Sequence, residues 1–230
     1  MIIVTLENDR NTLRTELPKP LDDLIDDIGS VGITIPLKDI KISKDSPYNI
    51  RLYSDSVLGQ AVIERLNVDF IVVPRVSSQN RKYVPMGFIK AGTIVTDRVQ
   101  IIPNATFYDF GIITSSVHMS WMRATCMRLK SDYSYSKDIV YNNFPWPTPT
   151  DEQKAKIEQT AQAILDARAL YPDCSLADLY DENTMPPELR KAHKANDKAV
   201  MQAYGFKADM TESEIVAELM KMYQRLTEKQ

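Results

Sequence analysis

The sequence predicts an α+β fold, a mixed α/β region followed by a small C-terminal helical bundle. Three observations carry this expectation. Short β-branched runs separated by polar turns occupy the chain from Asp69 to Pro103. The hydrophobic period then changes from two to 3.6 after Thr114. Beyond Pro149 helical periodicity continues to the end, punctuated by capping signals.

Taken in order, the first 65 residues read as a mixed region. Val31–Ile42 alternates and is β-branched, which predicts a strand or two with Pro36 at an edge. Ser54–Leu66 places Val57, Leu58, Ala61, Val62 and Leu66 at helical spacing, with Ser54 or Asp55 as cap. Residues 66–143 then form the α/β region. DFIVVP, KYVPMGFI, TIVTDRVQIIP and ATFYDFGII predict four strands. Thr114–Lys130 predicts a helix, with Val117, Trp121, Ala124, Thr125 and Arg128 in register and Thr114 or Ser115 capping it. Met119, Trp121 and Met122 fit core packing on that helix better than a cofactor pocket.

Phe144-Pro145-Trp146-Pro147-Thr148-Pro149 cannot continue a helix, because proline restricts itself and its predecessor. Residues 144–150 are therefore an extended linker, with both aromatic rings expected to be buried at the junction. Residues 151–230 are the helical bundle. Thr150 with Gln153 makes a capping box for a helix faced by Ile157, Ala161, Ile164, Leu165 and Arg168. Ser175–Tyr180 predicts one short turn of helix. Pro186-Pro187 opens a longer helix through Leu189, Ala192, Ala199, Val200, Ala203 and Tyr204, stopped at Gly205. Thr211 with Glu214 caps the last, faced by Ile215, Leu219, Met222, Tyr223 and Leu226.

At 230 residues and 43% hydrophobic, the chain can bury a real core in one large or two modest domains. No uninterrupted apolar run approaches the roughly 18 residues of a membrane helix, so no membrane association is expected. The start, MIIVTLENDR, lacks a basic segment followed by an apolar one, so no secretory signal is expected. Cys126 and Cys174 are far apart, with only His118 and His193 as further soft ligands. That argues against a structural zinc site and for a reducing compartment, with the cytoplasm as the expected location.

Charge is unevenly distributed. Residues 71–140 hold nine Lys/Arg against four Asp/Glu, whereas residues 1–70 and 151–230 are each net acidic. The whole-chain pI of about 5.5 conceals this basic middle. Two strings concentrate it: VVPRVSSQNRKYVPMGF and RLKSDYSYSKDIVYNNFPWP. In the first, Arg75, Arg81 and Lys82 flank Ser77, Ser78, Gln79 and Asn80 in a predicted turn, with Tyr83 following. In the second, Lys130 and Lys137 interleave with Tyr133 and Tyr135, and Arg123, Arg128 and Tyr141 extend the same character. Guanidinium groups fork onto phosphates and guanine edges, and Asn or Gln amides pair with adenine. A solvated loop would carry the same residue types, but two separated basic-aromatic segments point to nucleic acid.

A catalytic reading finds no cofactor loop or nucleophile. None of the seven glycines forms GxGxxG or a P-loop, and Gly29-Ser30-Val31-Gly32 has the wrong spacing. Asn143-Phe144-Pro145-Trp146 approaches the Asn-Pro-Pro-aromatic tetrapeptide of adenine methyltransferases but lacks its first proline. No cofactor-binding βαβ unit precedes it, so it reads as linker. Glu152-Gln153-Lys154 and Pro172-Asp173 hold the letters of a nuclease metal motif in reversed order, on predicted helices. His118 and His193 have no partnering Ser or Cys pattern. No catalytic, cofactor-binding or metal-binding residue is predicted.

The strings VPRVSSQNRKYVPMGF, IIPNATFYDFGIITSSVHMSWMRA, LKSDYSYSKDIVYNNFPWPTPTDEQKAKI and ILDARALYPDCSLADLYDENTMPPELRKAH resemble the C-terminal part of a known family. It comprises the site-specific adenine DNA methyltransferases of type II (IIL/IIG) restriction–modification systems, often fused to an endonuclease. The resemblance runs from about residue 66 to the end, and residues 1–65 match poorly. It implies a target recognition domain, residues 66–143, followed by a C-terminal helical domain. It further implies double-stranded DNA as partner, read in the major groove. A methyltransferase catalytic domain, in cis or in trans, would extrude the adenine and methylate its N6 from S-adenosylmethionine. That core is absent from these residues, so this segment is expected to hold no cofactor and to do no chemistry alone. The competing expectation is a protein-interaction module whose basic face is incidental.

Overall fold

The computed structural model describes residues 68–91, 93, 95 and 98–228. The strand expected within Val31–Ile42, the helix expected over Ser54–Leu66 and the Gly29–Gly32 segment lie outside the described residues. The elements in order are β1 (Phe70–Pro74), β2 (Val76–Ser77), β3 (Gly87–Ile89), β4 (Val99–Pro103), α1 (Phe107–Ile113), α2 (Ser116–Thr125), β5 (Met127–Leu129) and β6 (Asp132–Ser134). A single π-helical turn (Lys137–Tyr141) follows, then α3 (Asp151–Ala169), the short α4 (Leu176–Leu179), α5 (Pro187–Ala203) and α6 (Glu212–Thr227). The α+β expectation holds.

Two small antiparallel sheets are formed, ordered β3-β1-β4 and β2-β6-β5. Arg75 is the crossing point between them. Its N–H donates to the Arg98 carbonyl at 2.9 Å, beside the first sheet, and its carbonyl accepts from the Tyr135 N–H at 2.8 Å, beside the second. One extended run therefore feeds both sheets, and β2 brings the first basic segment directly beside the second.

The segment ATFYDFGII is a helix, not the expected fourth strand. Thr106 accepts from the Asp109 N–H, and the Asp109 carboxylate accepts from the Thr106 N–H, a reciprocal capping box that nucleates α1. Four consecutive buried residues, Phe110 to Ile113, explain why the periodicity reads as a strand: this helix is covered on most sides. The second helix is also shorter than expected. It starts at the Ser115 cap and stops at Cys126, so Arg128 lies on a strand rather than on a helix.

The remaining helices appear with the expected caps. The Thr150–Gln153 and Thr211–Glu214 boxes are both closed. Gly205 follows α5 at φ 70°, a left-handed turn that glycine makes without strain. These helices do not close on one another alone. Their buried residues Ile157, Ile164, Leu189, Val200 and Leu219 belong to one apolar core with Ile71, Val84, Phe110 and Trp121.

Buried polar links reinforce that continuity. Asn196 of α5 donates to the Gly111 carbonyl at 2.7 Å and accepts from the Thr160 hydroxyl at 3.0 Å. Glycine at 111 is what permits this approach, since a Cβ there would stand 2.5 Å from Ile157 Cγ2. In the linker Phe144 is 4% exposed, edge-on to His118 with centroids 4.5 Å apart. Trp146 is only half-buried, so one ring rather than both is buried at the junction. The tether is completed by Tyr204, whose hydroxyl donates to the Pro145 carbonyl at 2.9 Å.

Candidate nucleic-acid interface

The second sheet joins the two basic segments. Val76 pairs with Ser134 and Ser77 with Tyr133, while on the other side of β6 Met127 pairs with Ser134 and Leu129 with Asp132. From the end of β2 the chain turns at Ser78–Arg81, closed by the Arg81 N–H donating to the Ser78 carbonyl at 3.1 Å. The Asn80 N–H also donates to the Ser78 hydroxyl at 3.3 Å. The Gln79 N–H donates to Asp132 Oδ1 at 3.2 Å, which ties this turn to the tip of the β5–β6 hairpin. At that tip Lys130 sits in the left-handed region at φ 56°.

The predicted site residues divide by exposure. Arg75, Gln79, Asn80, Lys82 and Lys130 are exposed, and Ser78, Arg81 and Lys137 are half-buried. Ser77, Tyr83, Tyr133 and Tyr135 are buried. Strand alternation is the reason at three of them: Tyr133 and Ser77 are directly paired and share the inward face, and Tyr135 repeats that phase two residues on, whereas Tyr83 lies outside the strands and packs on His193. The buried hydroxyls are occupied inside the chain. Tyr83 donates to Asp197 Oδ2 at 2.7 Å, and the Tyr135 hydroxyl lies 2.9 Å from His118 Nε2. Burial raises both phenols above the ordinary tyrosine range, with Asp197 adding to the effect at Tyr83. The Ser77 hydroxyl has no partner among the described residues.

The cations are held in different ways. The Arg128 guanidinium lies 4.1 Å from the Tyr133 ring centroid and donates to the Ser131 carbonyl at 3.1 Å, so it is pre-oriented while exposed. Lys137 forms an ion pair with Asp138 at 2.9 Å. Lys82 has its ammonium 5.4 Å from the Tyr83 ring. Asp132 is the residue that a search for basic positions passes over, although it connects the two segments; alternation through Asp132-Tyr133-Ser134-Tyr135 is its only signal in the sequence.

Beneath the surface lie two histidines pushed down to about 3 by burial, with Arg168 and Lys82 contributing at His193. Both are neutral structural groups. His193 stacks on Tyr83 with centroids 4.1 Å apart, and its Nε2 is 2.7 Å from the Tyr180 hydroxyl. Among the described residues no group of His, Cys, Asp and Glu could hold a metal ion. No helix among them is long and apolar enough to cross a membrane.

Comparison with known proteins identifies related domains. Residues 57–148 match the family described as the MmeI target recognition domain, and residues 149–230 match the MmeI C-terminal domain. DNA methyltransferase A of Bacillus subtilis (strain 168) is 43% identical over 159 residues, 69% of this chain and 18% of that protein. A solved structure of the type IIL restriction–modification enzyme MmeI in complex with DNA superposes with a TM-score of 0.69 at 45% identity. That match covers 70% of this chain and 22% of the other. The chain thus spans about a fifth of the length of these relatives. With contiguous matches over residues 57–230, the chain belongs to the MmeI family, of which it carries the target recognition domain and the C-terminal domain.

Proposed function

We propose that this chain is the DNA sequence-recognition module of a site-specific adenine-N6 methyltransferase of the restriction–modification type. In this reading it works in the cytoplasm with a catalytic domain supplied in cis or in trans. The observation that carries it is the meeting of the two basic segments in one sheet, with Gln79, Asn80, Lys82, Arg128 and Lys130 exposed along its end. Lysines there act on phosphates, while the amides and guanidinium groups have the donor geometry for base edges. Ser78, Arg81 and Lys137 stand at the margin of that surface. Tyr83, Tyr133 and Tyr135 support it from below.

S-adenosylmethionine belongs to the catalytic domain in this reading. Among the described residues Gly87 lies in a strand, Gly111 is packed within α1 and Gly205 ends α5. None of these three opens a cradle for a nucleotide-like ligand, and no chemical step is assigned to them.

Duplex binding over a salt series tests the reading. Replacing a lysine that contacts a phosphate lowers the log–log salt slope by about 0.9, whereas removing a base-reading group relaxes discrimination at one pair by about 1–3 kcal/mol. Salt-independent binding, or no change on replacing Lys82 and Lys130, refutes it. The protein-interaction reading has one observation in its favour. Val76, Met127 and Leu129 share one face of the second sheet by register and are 40%, 63% and 58% exposed. Under that reading, replacing Met127 and Leu129 with Ser abolishes docking to a protein partner, while neither this variant nor the wild-type chain binds duplex with a salt dependence.

A further inference from the structure

We infer that the C-terminal helices are the positioning clamp of the DNA-facing turn, acting through Arg123, Asp197 and Glu212. This rests on the recognition reading above and assigns the helical domain a part in it. Arg123 of α2 donates through Nε and Nη2 to both carboxylate oxygens of Glu212, at 2.7 and 2.9 Å. Its Nη1 donates to the Lys82 carbonyl at 3.1 Å. One guanidinium therefore joins α2, the first turn of α6 and the basic turn, with the fork geometry that fixes direction as well as distance. Glu212 is suited to its place because a carboxylate is favoured in the first turn of a helix.

The next residue is gripped from another helix. Asp197 of α5 accepts the Tyr83 hydroxyl on one carboxylate oxygen and the Ser116 N–H on the other, each at 2.7 Å. The Tyr83 ring rests on His193 of the same helix at an interplanar angle of 22°. Three residues further, Arg168 of α3 donates to the Met86 carbonyl at 2.7 Å. The chain from Lys82 to Met86 is thus tied to the helices at three points. The opposite end of the turn is tied to the hairpin through Gln79 and Asp132. Between these anchors lie the exposed side chains of Gln79, Asn80 and Lys82. A turn held at both ends meets a base edge without first being ordered, and that pre-organisation is what separates a selective reader from a sticky loop. Arg123, Asp197 and Glu212 are positioning residues in this scheme, since none needs to touch DNA.

The test uses the full chain, Glu212→Gln, and Glu214→Ala as the control. Glu214 closes the cap of the same helix, through the Thr211 N–H at 2.7 Å, and does not touch Arg123. Two readouts are taken: amide hydrogen exchange without DNA, and affinity for a duplex that the wild-type chain selects from a random pool, against an unselected duplex. Glu212→Gln is expected to speed exchange at residues 80–83 about tenfold while α3 and α5 stay protected. It is also expected to reduce discrimination about fivefold at an unchanged salt slope, because no phosphate-contacting cation has been removed. Glu214→Ala is expected to do neither, though it lowers stability. Equal behaviour of the two variants, or wild-type exchange and discrimination in Glu212→Gln, overturns the clamp alone. A wild-type chain with no salt-dependent binding overturns the recognition reading, and the clamp's role with it.

Discussion

Lowering the pH from 7 to 5 is expected to remove about 4 kcal/mol of stability through His118 and His193. Both imidazoles are buried, and burial holds each at about 3 instead of the ordinary 6.5. The unfolded chain therefore binds more protons than the folded one between those values. Stability is fully present above about pH 6.5 and is lost as the pH falls toward 3. At 1.36 kcal/mol per unit, protonating one unfolded-state histidine between pH 7 and 5 costs the fold about 2 kcal/mol, and two cost about 4. Against a total of roughly 5–15 kcal/mol, that is a large fraction.

Asp197 works in the opposite sense. Its burial raises the carboxyl above the ordinary value, so its folded state takes up a proton first and offsets part of the loss. Asp69, Glu188 and Glu214 are held below their ordinary values and contribute only at still lower pH, outside this window. Urea denaturation at pH 7, 6 and 5 measures the loss, and the imidazole proton resonances report each histidine directly. A loss under about 1 kcal/mol, or a histidine titrating at its ordinary value, refutes the claim that both are buried and neutral.

Gly111→Ala is expected to cost about 1–3 kcal/mol by chemical denaturation, since its Cβ would meet Ile157 Cγ2 at 2.5 Å. A net gain, from the roughly 1 kcal/mol of helix propensity that alanine adds, would show that α1 can shift away from α3. Phe144→Ala is expected to cost about 3–5 kcal/mol and Trp146→Ala clearly less, because only the first ring is fully packed. Equal losses would place both rings at the junction. Lys130→Gly is expected to raise the denaturation midpoint by relieving a left-handed conformation, worth about 1 kcal/mol, while lowering the DNA salt slope by about 0.9. An unchanged salt slope would separate Lys130 from the DNA surface.

Sequence patterning was a sound guide wherever the determining interactions are local. A capping box spans three residues, so the starts of α3 and α6 were legible from Thr150–Gln153 and Thr211–Glu214. Gly205 marked the end of α5 for the same reason. The Thr106–Asp109 box was equally local but stood before a run of buried residues that lacks a polar face. Hydrophobic pattern therefore pointed to a strand where cap chemistry makes a helix. The basic segments were legible as composition, but composition carries no direction. Tyr133 and Tyr135 read as DNA-facing aromatics until the pairing of β2 with β6 set their phase inward, and Tyr83 until α5 covered it through Asp197 and His193.

By itself, then, the sequence determined the α+β class, the helical C-terminal part with its caps, the family resemblance and the two segments richest in cations. Only the tertiary structure decided that those segments share a sheet, through the pairing of Val76 with Ser134 and Ser77 with Tyr133, to which the Gln79–Asp132 contact across 53 residues adds. It also decided that Tyr83 is held by Asp197, 114 residues later, and Lys82 by Arg123, 41 residues later, which is itself held by Glu212. The physical reason is one of range. Caps, turns and periodicity depend on neighbours within a turn or two, whereas register and burial depend on which distant surfaces exclude water together.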